Sequence, residues 1–370
     1  MIIIGHDASL TGAPIVLLNF VKWLVHEKNE PVFIILKKGG PLLNSYKALG
    51  NLYVWETDLG EKPIFFRILN RIIDLQKRRK KRIVKNALQN KPSLILSNTV
   101  VNGDIIEMFE SQNIPVINWV HELENVIQLF NKEKGSDKSL QYSDHIIAAS
   151  EAVKGNLILN HNIPAENISV FYEMVAGRKE LPHTGNKPDF VVGGCGTLIH
   201  RKGFDLFLQV AHIIINKKEI KNIRFVWIGG DENSYSYKEF KREIGLLNLE
   251  PYITITGETT DPFAYYNSLD LFLMTSREDP FPLVNIEAAQ CGLPIICFDK
   301  SGGSPEFVTE DVGFVVDYLD VEAMAGRIIE LKNNHERYNQ MSENIRKKSE
   351  MFTVKNKAGE LYELLNRLKS

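Results

Sequence analysis

Two carboxylates, a basic pair and a series of glycine turns are the parts of this sequence best suited to chemistry. The densest run is TSREDPFPLVNIEAAQCGLPII, residues 275–296. It predicts a strand ending at Thr275, a proline-rich turn, a helix with Pro282 at its first position and Gly292 past its end, and a new strand after Pro294. Such a helix start presents free N–H groups and the positive end of the helix dipole, which suit a diphosphate. Phe281, Pro282, Leu283 and Val284 build that turn and helix start. Asp279 in the turn and Glu287 on the second helical turn could accept hydrogen bonds from sugar hydroxyls, with Glu278 beside Asp279 as a rival. In GGCGTLIHRKGFD, residues 193–205, glycines at a strand end would let backbone approach a phosphate, and Arg201 and Lys202 supply fixed positive charge for a departing diphosphate. Gly302 and Gly303 of DKSGGSPEF offer backbone N–H groups after another strand, and Glu306 reads equally as a ligand of that loop or a helix N-terminal acid. Near the start, Gly12 and Ala13 of GHDASLTGAP lie at a strand-to-helix turn that allows close approach of a ligand. INWVHELEN places His121 and Glu122 directly after a strand, and Ser150 of AASEAVK reads as a plain helix N-cap.

These segments resemble the retaining GT-B glycosyltransferases of the "glycosyl transferases group 1", family 4-like type. In that family two glutamates separated by seven residues surround a PFG-like turn and precede an EAxAxGxPV run, and Asp279 and Glu287 keep the spacing. The resemblance implies that Asp279 touches the transferred sugar and Glu287 the donor ribose. It gives the diphosphate to Lys202, with Arg201 second, and makes His121 the residue that contacts the donor sugar and orients the acceptor. Gly12 and Ala13 match a glycine loop on the acceptor side, the Gly302 and Gly303 stretch matches a GGxPE run, and Thr256, Gly257 and Glu258 fall where the donor base would lie. Two positions depart from the pattern: aspartate replaces the first glutamate at 279, and Thr197 stands where many relatives carry an arginine. The implied activity is retaining transfer of a hexosyl group from a UDP or GDP sugar to a glycan or lipid-linked acceptor, in cell-surface polysaccharide or glycoconjugate synthesis. With no protein nucleophile evident, a front-face displacement fits, in which the departing phosphate oxygen takes the acceptor proton. No Asp-x-Asp pair follows a strand in a loop, so neither a metal nor any other cofactor is expected.

The elements that must hold these residues follow a βαβ rhythm. Short β-branched runs alternate with amphipathic stretches up to about DHIIAAS, pause at LPHTGNKPD, residues 181–189, and resume with DFVVGGCG. The expectation is an α/β chain of two Rossmann-like doubly wound domains facing a central cleft, where open parallel sheets bind ligands. The boundaries read as 1–182 for an acceptor domain, 187–350 for a nucleotide-sugar domain and 351–370 for a helix packing back on the first. A length of 370 residues, 44% hydrophobic and 24% charged, suits two globular cores. A net charge of -2 argues against a nucleic-acid partner, and Cys195, Cys291 and Cys297 lack metal-ligand spacing. The start lacks the charge and apolar length of a signal peptide, and no apolar run reaches the roughly 18 residues of a membrane span, so a cytoplasmic protein is expected. One segment points to a membrane surface: Ile64, Phe65, Ile68, Leu69, Ile72 and Ile73 form an apolar set, followed by the basic run Lys77, Arg78, Arg79, Lys80, Lys81, Arg82. An amphipathic basic helix of that kind could lie on anionic lipid at the inner face of the membrane, or be a domain helix with a solvated face.

Three rival readings stand beside the transferase. A dinucleotide oxidoreductase needs G-x-G-x-x-G opening a helix with an acid about 20 residues on, which the chain lacks. A nucleotide-sugar epimerase of GT-B architecture shares the fold, and so does a catalytically weak nucleotide-sugar-binding relative.

Overall fold

The computed structural model describes residues 1–56, 75–134, 136–178 and 188–369. Most of the segment 181–189, expected as a linker, and the apolar set from Ile64 to Ile73 lie outside the described residues. Contacts divide the chain into two units: Met1–Tyr172 with Ala358–Ser370, and Glu173–Lys357. The last helix, Val354–Leu368, begins in the second unit and belongs from Ala358 onward to the first. There Tyr362 meets Trp23 edge to face at 6.0 Å.

The first unit carries seven parallel strands, β1 (Ile2–Gly5), β2 (Phe33–Leu36), β3 (Asn51–Val54), β4 (Ile95–Asn98), β5 (Val116–Val120), β6 (His145–Ala148) and β7 (Ile168–Val170), in the order β3-β2-β1-β4-β5-β6-β7. Strands β1, β2, β4 and β5 are buried at every residue; β1 and β2 read as unbroken apolar runs rather than alternating ones, while β4 ends in the buried Ser97 and Asn98 and β5 carries the buried Asn118. Ile4 lies between Ile35 and Ser97, its partners on the neighbouring strands. One core packs Ile2, Ile4, Ile35, Ile95, Trp55 and Phe109.

The second unit repeats the plan with β8 (Phe190–Cys195), β9 (Ile223–Ile228), β10 (Ile253–Ile255), β11 (Leu271–Met274), β12 (Ile295–Phe298) and β13 (Gly313–Val316), ordered β10-β9-β8-β11-β12-β13. Its core centres on Phe204, Phe207, Phe225 and Trp227, whose rings meet edge on at 5.1–5.6 Å in three pairs. Each such fully buried ring contributes roughly 1.5–3 kcal/mol of transfer free energy. Both units are thus α/β and Rossmann-like. In each sheet the strand order reverses once, between β1 and β4 and between β8 and β11, and ligands of open parallel sheets sit beyond the strand ends at such reversals.

The structure corrects three local expectations. Gly193 and Gly194, expected to make room for a phosphate, lie inside β8. A Cβ on Gly193 would stand 2.0 Å from Leu269 and one on Gly194 2.7 Å from Trp227, so these glycines admit core side chains. Pro282 caps the helix Leu283–Gln290 in extended conformation rather than opening it, and β11 stops at Met274, one residue before Thr275. The helix end is as expected, with Gly292 at φ +72 after Cys291. Ser150 caps the helix Glu151–His161, its Oγ accepting from the Val153 N–H at 3.2 Å.

Candidate functional site

In the second unit the loops that leave β8 and β11, neighbours at the strand-order reversal, bring the expected charges together. The loop after β8 closes in a short turn, His200–Lys202, followed by Gly203 at φ +71. A Cβ there would lie 2.0 Å from the Thr275 carbonyl oxygen, so only glycine lets this turn press onto the end of β11. Across that contact Lys202 Nζ meets Asp279 Oδ2 at 2.5 Å and Arg201 lies 3.6 Å from the same oxygen. Ser276 Oγ donates to Asp279 Oδ2 at 3.2 Å, and Arg201 donates to the Glu278 carbonyl at 2.6 Å. Asp279 is 6% exposed. Its neighbour Glu278 therefore serves the loop through its backbone, while the shorter acid takes the cations. Arg277 closes the arrangement from behind with paired bonds of 2.8 and 2.6 Å to Asp205. Burial works against the charge of Asp205, but these bonds prevail and hold its carboxyl below the usual range.

The turn is also tied to the loop after β12. The Asp279 N–H donates to the Ser301 carbonyl at 2.8 Å, and the Gly303 N–H donates to the Asp279 carbonyl at 2.9 Å. Gly302, at φ +103, bridges to Asp279. Asn285, on the first turn of the helix Leu283–Gln290, donates to Ser304 Oγ at 3.1 Å, which fixes that helix start against the same loop. Phe281 is buried and stacks on Phe352 at 5.8 Å, so it anchors the turn. Leu283 is buried and Val284 half-buried.

Glu287 sits one helical turn further in. Burial pushes its carboxyl above the usual range, opposed by the Tyr266 hydroxyl, which donates at 3.3 Å, and more weakly by the charge of Arg178. Tyr266 is fully buried, and the Cys195 thiol beside it is pushed up to about 11 by burial. Thr256 and Gly257 follow β10. Thr256 Oγ1 accepts from the Gly229 N–H at 3.2 Å and donates to the Gly257 carbonyl at 2.9 Å, while Glu258 and Thr197 are exposed. Among the described residues no three His, Cys, Asp or Glu side chains gather as a metal-ligand set.

In the first unit the strand ends hold a different constellation. His121 Nε2 lies 2.7 Å from Asn98 Oδ1, and Asn98 Nδ2 donates to the Ala13 carbonyl at 3.1 Å. One amide thus joins the start of the helix Gly12–Glu27 to the histidine after β5. Asn98 and Asn102 are fully buried, and Asn102 Nδ2 donates to the Asn98 carbonyl at 2.8 Å and Ser97 Oγ at 3.2 Å. Thr99, at φ +82, strains the backbone beside them. Glu122 is buried and accepts the N–H groups of His121 at 3.0 Å and Val100 at 3.4 Å, so its carboxylate holds the loop in shape. Sequence reasoning misses Asn98; its signal is the pair of polar residues, Ser97 and Asn98, that closes the otherwise apolar SLILSN.

The basic run behaves in two ways. On the helix Leu75–Leu88, Arg79 donates to the carbonyls of Val54 and Trp55, and Lys80 lies over the Trp55 ring at 4.8 Å and 3.9 Å from Asp104. Lys77, Arg78, Lys81 and Arg82 are exposed, and Lys85 joins them on the same helical face. None of the described helices is long and apolar enough to cross a membrane.

Two Rossmann-like units with a cation–carboxylate cluster beyond the reversal of one sheet define the GT-B class of fold. The solved structure of HepE from Anabaena with UDP and glucose superimposes with a TM-score of 0.77 over 99% of each chain at 18% identity. The sequence model of the glycosyl transferases group 1 matches residues 178–348, and that of glycosyl-transferase family 4 matches residues 1–157. The chain belongs to the GT-B group 1 glycosyltransferases. It is 26% identical over 218 residues to the capsular polysaccharide biosynthesis glycosyltransferase CapM of Staphylococcus aureus, covering 55% of this chain and 56% of that one. An uncharacterised glycosyltransferase of Haemophilus influenzae is 32% identical over 160 residues, covering 43% and 44%. The chain thus spans about half the length of the curated relatives it matches.

Proposed function

We propose that the protein is a retaining hexosyltransferase. It takes a sugar from a nucleoside-diphosphate donor, of UDP or GDP type, to a glycan or lipid-linked acceptor in the synthesis of a polysaccharide or glycoconjugate. The observation that carries this is the cluster of Lys202, Arg201 and Asp279 beside the Gly302 loop and the start of the helix Leu283–Gln290. Two cations and a helix start suit a leaving diphosphate, and charge developing on that leaving group is what a preorganised site stabilises best. Glu287 is assigned to the donor ribose, Asp279 and His121 to the sugar, and the loop of Thr256, Gly257 and Glu258 to the base. The leaving phosphate oxygen takes the acceptor proton, and no metal or other cofactor takes part.

Support for the biological setting comes from the relatives, among them CapM and a Rhizobium meliloti lipopolysaccharide core mannosyltransferase. A cytoplasmic position at an anionic membrane surface accords with the exposed face of Lys77, Arg78, Lys81, Arg82 and Lys85. Calorimetry with a panel of nucleoside-diphosphate sugars, followed by NMR of the product's anomeric configuration, tests the reading. Inversion, or binding of no donor, defeats it, and release of an isomerised free sugar nucleotide would point to the epimerase. Anionic vesicles should sediment the protein at low salt and lose it when Lys77, Arg78, Lys81 and Arg82 become Gln.

A further inference from the structure

Lys202 and Asp279 are both assigned to the donor, yet they spend their charges on each other. The 2.5 Å contact is short, Asp279 is 6% exposed and the Lys202 side chain 16% exposed, so water screens the pair only partly. The two partners differ in freedom. Asp279 is pinned by its own backbone, with its N–H on the Ser301 carbonyl and its carbonyl on the Gly303 N–H, and by the Ser276 hydroxyl on Oδ2. The Lys202 ammonium ends a flexible four-carbon stem whose base is fixed by the Gly203 contact. A ligand anion entering beside the pair would therefore draw the lysine away from the aspartate, not the aspartate from the lysine. With Asp279 ionised the two cations present a net charge of one to that anion, and without it two.

We propose that Asp279 is the internal counter-anion of Lys202. It occupies the ammonium when no diphosphate is bound and competes for it with the product nucleoside diphosphate, so that it hastens product release. The inference rests on the reading that Lys202 meets the diphosphate. It makes Asp279 a positioning residue for Lys202 in addition to its assigned sugar contact. A purely structural role predicts the opposite sign, because removing a structural carboxylate would loosen the pocket and weaken the nucleotide.

The test is calorimetric titration of UDP and GDP into the full chain and three variants, Asp279→Asn, Lys202→Ala and the double substitution, with product inhibition measured alongside. The wild type is expected to bind one of the two nucleotides. Asp279→Asn should bind that nucleotide about fivefold tighter and be inhibited by it at about fivefold lower concentration, while its transfer rate falls. Lys202→Ala should weaken it, and in that background the gain from Asp279→Asn should shrink to what Arg201, 3.6 Å from the same oxygen, contributes. Equal or weaker binding by Asp279→Asn, with Lys202→Ala still weakened, overturns the proposal and leaves the donor site standing. Unchanged binding by Lys202→Ala, or none by the wild type, defeats the donor reading itself. Crystals of the wild type with UDP or GDP decide the matter without a variant. Lys202 Nζ should lie on the diphosphate, beyond about 4 Å from Asp279 Oδ2, and an intact 2.5 Å pair beside bound nucleotide refutes the competition.

Discussion

The two units put different chemistry at the same topological address. Beyond the β1/β4 reversal stand amides, a hydroxyl and an imidazole, with Asn98 linking Ala13 to His121. Beyond the β8/β11 reversal stand two cations on one carboxylate. A network of directional bonds, in which the Glu122 carboxylate is taken up by backbone N–H groups, suits the orienting of hydroxyls, whereas a cluster of cations suits a leaving group that gains charge. The fold supplies the address and the side chains decide the task.

The largest effects should fall on the charged side. Lys202→Ala and Glu287→Ala are each expected to lower kcat/KM about 10²- to 10³-fold in a coupled assay, and losses no greater than at Asn98 would erase the contrast. Within the cluster, Asp279→Asn should reduce transfer about 10²-fold and Glu278→Gln only a few-fold, because the Glu278 backbone, not its carboxylate, receives Arg201. The reverse order would move the sugar contact to Glu278. In the first unit, His121→Ala and Asn98→Ala should cost about tenfold in kcat and leave nucleotide affinity unchanged by calorimetry. Asn98→Ala should also lower stability by roughly 1–3 kcal/mol in urea unfolding, since it empties a fully buried polar position and removes its bonds to the Ala13 carbonyl and His121.

The smallest effect is on stability and comes from Glu287. A carboxyl whose folded pKa is raised costs the fold stability above that pKa, and the cost disappears as pH falls below the unfolded value. Glu287→Gln should therefore raise the melting temperature by about 2–4 °C at pH 7 and change it little near pH 4, while donor binding falls. A loss of melting temperature at pH 7 would contradict the burial argument.

Much of this was open in the sequence, for reasons that differ by region. The βαβ rhythm survives because both sheets are parallel and their central strands are buried on both faces, so strands such as β1, β11 and β12 announce themselves as apolar runs. The segments around Lys202, Asp279 and Gly302 were readable because glycine, proline and charge at strand ends have few other uses. Their pairing was not, since Lys202 and Asp279 are 77 positions apart and no spacing rule predicts which cation an acid selects. Gly193 and Gly194 misled because a glycine that admits Leu269 or Trp227 looks the same in sequence as one that admits a phosphate. Asn98 stayed hidden because its meaning depends on partners from two other strand ends.

The contact between Gly203 and the Thr275 carbonyl also bears on how the site can change over generations. The obstacle to a Cβ at position 203 is a backbone oxygen 2.0 Å away, not a side chain. No second substitution at Thr275 can make room, so compensating pairs are closed as well as single steps. Libraries that randomise the donor loops should return glycine at 203 whatever sugar is selected for, while Thr197, exposed on the same loop, remains free to vary with the donor.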